Sequence, residues 1–213
     1  MKTPFTTEQF FQVFESYNTS VFPLQLLIFL LGLMAVYLLH SNVKSKNILI
    51  GSFLGVLWLW MGGVYHIAFF SKINPASIVF GAVFIIQGLL ILLYTFKNNQ
   101  FQFSYSRNAK NYFGYFFVLF GLFFYPIIGF FMEASVERTI SLGLPCPTTI
   151  LTFGFFMLAG NRFPKWLLLI PSLWALIGLS AAINFGVYQD YLMIVAAIIA
   201  DIYLLSKKVN NPN

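Results

Sequence analysis

The sequence predicts an all-α integral membrane protein: a bundle of about seven transmembrane helices, the fifth short and led by prolines, with the N-terminus outside and the C-terminus cytoplasmic. Three observations carry this. Of the 213 residues, 59% are hydrophobic and only 8% charged, too few charges to clothe a water-soluble domain of this length. Several apolar runs approach or exceed the roughly 18 to 20 residues that cross a bilayer as helix. The basic residues gather at alternate connections, as they do in short cytoplasmic loops. A β-barrel is excluded, because apolar residues run continuously and not at every second position.

Residues 1–20 read as an amphipathic helix at the membrane interface. Thr6 and Gln9 have the spacing of a capping box, and Phe10, Phe14 and Tyr17 recur at helical intervals. The segment lacks a signal peptide's basic-then-apolar order, since Glu8 and Glu15 interrupt it, and it is expected to remain on the mature protein. Asn18-Thr19-Ser20 matches a glycosylation acceptor, a triplet common by chance. Residues 21–208 form a single transmembrane bundle, with spans expected at 22–40, 47–70, 76–96, 113–132, 145–160, 165–185 and 188–206. A short polar tail, 209–213, follows.

Orientation comes from lysine and arginine. Lys44 and Lys46 follow the first span, Lys97, Arg107 and Lys110 the third, Arg162 and Lys165 the fifth, and Lys207 and Lys208 the seventh. Nine of the twelve basic residues therefore share one side, leaving Lys2, Lys72 and Arg138 for the other. Seven spans satisfy this pattern, whereas six would put the last two loops on the wrong side. The same placement accounts for the formal charge of +6 without nucleic acid as a partner. The lipid bilayer of the cell (inner or plasma) membrane is the expected surrounding, and a homo-oligomer is compatible with it.

The fifth span holds the only cysteine, in "GLPCPTTI". Thr148 to Gly160 is thirteen residues, about 20 Å of helix against a core of about 30 Å. Pro145 and Pro147 remove two amide donors, and Pro147 suits the first helical position, with Cys146 at or near the N-cap. "GLPCP" is thus expected to dip inward as irregular backbone before the helix begins, which is tolerated only inside protein or beside a wet cavity. A cysteine there sits at the positive end of the helix dipole, a setting that attracts anions and favours the thiolate. The plainer reading is a small buried residue in a turn.

With this topology His66, Cys146, Asn184 and Asp190 fall in the outer half and are able to line one outward-facing pocket. Thr148, Thr149 and Gln189 lie beside them. Trp58, Trp60, Trp174 and Gln87 fall near the middles of their spans, either as the floor of that cavity or as hydrogen bonds between helices. Each residue also has a duller role: His66 at headgroup level, Asp190 and Gln189 capping the last helix. Gly51-x-x-x-Gly55 and Gly178-x-x-x-Ala182 read as helix-packing surfaces. Asp201, the one acid well inside a span, is expected to meet Lys207 or Lys208 or to reach water.

Haem ligation fails because His40 and His66 lie toward opposite ends of their spans. A retinal Schiff base has no interior lysine in the last span, and HExxH and G-x-S-x-G are absent. The leading expectation is binding or transport of a small solute through an outward-facing cavity around Cys146. The solute is a small molecule or ion: a soft metal held by Cys146 and His66, or an anion at the sunken helix start. The alternatives are a small intramembrane thiol enzyme using Cys146 with His66 as its base, and a non-catalytic accessory subunit. No residue pattern identifies a cofactor.

The stretches "LWLWMGGVYHIAFFSKINPA", "GLPCPTTILTFG" and "IPSLWALIGLSAA…GVYQD" resemble a family of bacterial multi-pass membrane proteins known as domain of unknown function 6064. The resemblance covers nearly the whole chain and brings no activity with it. It implies the architecture above and picks out His66, Asn74, Pro75, Cys146, Pro147, Thr148, Thr149, Gln189 and Asp190 as family-like positions.

Overall fold

The computed structural model describes residues 4–97, 101–133, 135–160 and 162–206. Lys2, Lys207, Lys208 and the tail 209–213 lie outside the described residues. Eight helical segments follow one another: α1 Thr7–Val21, α2 Leu24–His40, α3 Lys46–Lys72, α4 Ser77–Phe96, α5 Ala109–Glu133, α6 Pro145–Leu158, α7 Lys165–Phe185 and α8 Tyr188–Leu205. Five of them (α3, α4, α5, α7 and α8) are long and apolar enough to cross a membrane. The pair α1 and α2, bent by 86°, passes the same test together and makes a sixth. All seven expected span segments are helical, but α2 with 17 residues and α6 with 14 are short, so length and composition give five or six crossings. No β-strand occurs among the described residues.

The outer surface is greasy in stripes. On α4, Val79, Val83, Ile86, Leu89 and Leu93 are exposed, and on α8 Val195, Ile198, Ile202 and Leu205. These spacings of three and four put each set on one helical face, which in a membrane protein is the face toward lipid.

The short helix α6 is the axis of the bundle. Every residue from Pro147 to Leu158 is buried, because α5, α7 and α8 pack around it and α3 reaches it through Trp58. Small residues let backbones touch. A Cβ on Gly114 would lie 2.9 Å from the Gly154 carbonyl oxygen, and one on Gly154 2.6 Å from that of Gly114. The α3–α4 pair uses the same device twice, at Gly55 with Gly88 and at Gly62 with Gly81.

Other segments close both ends of α6. At its C-terminal end, Phe101 and Phe103 are buried against Phe156 and Phe155. There Ser104 N donates to Leu158 O and Gly160 N to Gln102 O. At its N-terminal end lies α1. Thr6 and Gln9 form the expected capping box, and Phe10, Phe11, Phe14 and Tyr17 are buried. Far from resting only on a lipid surface, α1 packs on α2, α3 and α7. Arg138 ties it down, donating to Glu8 at 2.7 Å and to Glu15 at 3.1 Å. The Asn18 side-chain amide donates to Glu137 O and Thr139 O, bonds that a glycan on that nitrogen would break.

The helix start corrects the expectation of irregular backbone. Leu144 is the N-cap and Pro145 the first helical residue, so Cys146 lies inside the first turn. Pro145 and Pro147 cost little here, because the first amides of a helix have no intrahelical acceptor. The irregular backbone is the loop before it. Gly143 has a φ of +98°, which a side chain rarely adopts. Its N–H donates to Thr148 Oγ1 at 3.0 Å, and its carbonyl accepts from Tyr17 Oη at 3.3 Å.

Candidate functional site

Two departures from ordinary helix aim side chains inward. In α3, Met61–Phe69 is π-helical, so hydrogen bonds there run to the fifth residue on. The Phe70 amide meets the carbonyls of both Tyr65 and His66, and the His66 carbonyl also accepts from Ser77 Oγ at 2.8 Å. In α5, Phe120–Phe124 is π-helical just ahead of Pro126, whose ring would crowd the carbonyl of Leu122 in a regular helix. The bulge brings Tyr125 into the core, fully buried.

A cavity of about 230 Å³ lies against the start of α6, between α1, α3, α7 and the turn into α8. Cys146, Asp190, Trp174, Asn74, Ser180 and Asn184 are its polar lining residues, and aromatic rings supply much of the remainder, including Phe5, Phe10, Tyr65 and Phe185. Phe10 of α1 stacks on Phe185 of α7 at 4.5 Å, and Phe14 on Tyr65 at 5.9 Å. The first turns of α1 thus form one wall.

Asp190 is almost completely buried. It occupies the N-cap position of the last α-helix without making a cap hydrogen bond, which corrects the capping role. Its carboxyl instead accepts the hydroxyl of Tyr125. The Cys146 thiol has Asp190, Tyr125 and the Trp174 indole as polar neighbours. A carboxyl therefore stands beside the sulfur at this helix start. Trp174 Nε1 is buried without a hydrogen-bond partner.

The remaining singled-out residues divide. Asn184 is exposed at the cavity rim and donates to Ser180 O at 2.6 Å. Gln189 is buried on a different side, facing a small recess with Phe11, Gly129 and Arg138. His66 is fully buried inside the protein, so its ring does not face lipid headgroups. Its Nδ1 pairs with Ser77 Oγ at 3.2 Å, its Nε2 has no partner, and its ring meets that of Trp174 at 5.1 Å. It is a neighbour of the cavity wall and lines none of the cavity itself. His66 is not among the polar neighbours of Cys146, and no group of three or more metal-ligating side chains occurs among the described residues.

Trp58 and Trp60 join helices and do not floor the cavity. Trp58 Nε1 donates to Thr152 Oγ1 at 3.0 Å, and that hydroxyl donates to Thr148 O at 2.7 Å. Trp60 Nε1 donates to Tyr17 Oη at 2.6 Å. The Tyr17 hydroxyl in turn donates to Gly143 O. Thr148 thereby holds the turn and Thr149, buried with its hydroxyl unpartnered, packs in the core. Asp201 accepts from Ser172 Oγ at 3.0 Å; its expected partners Lys207 and Lys208 lie outside the described residues. A larger recess of about 560 Å³ at the α1–α2 bend contains none of these residues.

Sequence reasoning missed Tyr65 and the phenylalanines of α1 as cavity-forming groups, and Tyr125 as the partner of Asp190. Tyr125-Pro126, a proline inside an apolar run, was the available signal for a bent helix that turns a polar ring inward.

The profile of a family of unknown function, DUF6064, matches residues 7–212. The chain belongs to that family. No curated protein and no solved structure matches it. For DUF6064 the match spans α1 through α8, so the helix carrying Phe10 and Phe14 belongs to the family unit as much as the bundle does.

Proposed function

We propose that this DUF6064 protein is a seven-span membrane protein that binds a small solute in the cavity beside Cys146, as a step in sensing it or moving it across the bilayer. In this reading α2 and the buried α6 complete the seven crossings, with α1 outside and the basic connections in the cytoplasm of a bacterial inner-membrane protein. The observation that carries it is the convergence of Asp190, Trp174 and Cys146 on a cavity lined mainly by apolar and aromatic side chains. Few polar groups set in an apolar lining are the usual make-up of a small-molecule site. The separation of His66 from the cavity favours binding over thiol catalysis.

The lone cysteine reports on the cavity directly. A small maleimide is expected to modify Cys146 in the folded, detergent-solubilised protein. Ala181→Leu, which fills the cavity from α7, is expected to slow that modification at least fivefold. Equal rates in both proteins, or modification only after unfolding, would remove the proposal.

A further inference from the structure

Resting on that reading, we infer that the solute is a small organic ammonium cation. Asp190 is buried to 1% exposure, and its carboxyl has the Tyr125 phenol and the Cys146 thiol, and no cationic side chain, as hydrogen-bond partners among the described residues. Both ion pairs among the described residues belong to Arg138, which holds Glu8 and Glu15. A buried carboxylate without a counter-charge is costly, and a cation entering the cavity would supply one.

The remaining wall has the matching chemistry. Phe5, Phe10, Phe14, Phe70, Tyr65 and Phe185 surround the cavity, and ring faces attract ammonium groups through their quadrupoles. Asp190 supplies the one charged oxygen donor among the described lining residues, with Asn74, Ser180 and Asn184 as neutral polar groups, whereas a hard inorganic cation takes about six oxygen ligands. Among the described residues the lining contains no basic side chain for a carboxylate or phosphate. The cavity's 230 Å³ is below the ~300 Å³ at which pockets for drug-sized ligands begin, so the body of the ligand is small. Trp174 Nε1, buried and unpartnered, is a donor and is left for an acceptor elsewhere on the molecule.

The test uses three probes of one shape: 2-phenylethylamine, 2-phenylethanol and phenylacetate. Each is titrated against the rate of maleimide modification of Cys146 at neutral pH. The amine is expected to protect at a concentration at least tenfold lower than the alcohol, and phenylacetate not to protect. Asp190→Asn should erase the preference for amine over alcohol while leaving protection by the alcohol. Should that variant fail to fold, Phe10→Leu with Phe185→Leu should weaken the amine several-fold more than the alcohol.

Equal protection by amine and alcohol in the unmodified protein overturns the cationic assignment and leaves the cavity reading standing. So does a preference that survives Asp190→Asn. No protection by any probe, combined with unchanged labelling in Ala181→Leu, overturns both.

Discussion

Tyr125 donates its phenolic hydrogen to the carboxyl of Asp190, joining α5 to the start of α8 inside the bundle. The two residues are 65 positions apart, and both are buried. A buried carboxyl stripped of its donor keeps its desolvation cost and loses its compensation.

Tyr125→Phe is therefore expected to destabilise the protein by about 1–3 kcal/mol, the usual cost of leaving a buried polar group unsatisfied. Combining it with Asp190→Leu should recover part of that loss, because the stranded group is removed. Unfolding in detergent, followed by tryptophan fluorescence, measures both; a double variant less stable than the sum of the singles would refute this account.

The glycine crossings predict a sharp contrast within one helix pair. A Cβ on Gly88 would lie 2.8 Å from both Gly55 O and Leu59 N, whereas one on Gly63 meets nothing within 4 Å. Gly88→Val should abolish folded, monodisperse protein. Gly63→Ala should be neutral or stabilising by about 0.5–1 kcal/mol through the lost freedom of the unfolded chain. Size-exclusion profiles and unfolding midpoints of the two variants decide it.

Acid should loosen α1. The hydrogen bond from Arg138, opposed in part by burial, holds the Glu8 carboxyl below its usual range. A depressed carboxylate contributes stability that is complete above its unfolded value and disappears as pH falls through the lower folded value. Proteolysis within α1 should thus stay slow from neutral pH down through the ordinary carboxylate range and accelerate only below it. Because these groups are exposed, high salt should weaken the tie as well. Arg138→Gln should make cleavage fast at every pH, and a flat profile in the unmodified protein would count against the tie.

The two sides of the membrane are separable with single cysteines in a Cys146→Ser background. Ser16→Cys on the exposed face of α1 should react with an impermeant maleimide on intact cells. Val43→Cys, between α2 and α3, should react only after permeabilisation. The reverse pattern would invert the proposed orientation, and labelling of both from outside would remove α2 as a crossing.

Much of the helix plan was legible from composition and spacing alone, since an apolar run leaves a backbone in lipid few options besides helix. Thr6 with Gln9 named the start of α1, and the prolines around Cys146 named a helix start. The cavity was only half legible. Cys146, Asn184 and Asp190 could be sorted to one end by counting spans, but counting says nothing about rotation. His66 and Gln189 share that end and face elsewhere, the first toward Ser77 and the second toward Gly129.

The sequence by itself determined what kind of solvent this chain accepts and where it turns helical, because those depend on local runs of apolar side chains and on nearby caps. Which faces meet was a tertiary decision. A 14-residue helix can sit inside the bundle because loops and α1 cover its ends, and that covering is made by Phe101, Phe103 and Tyr17, each far from it along the chain. Asp190 met Tyr125 for the same reason: two π-helical turns and a set of glycine contacts fix how the helices are rotated, and no local pattern encodes a rotation.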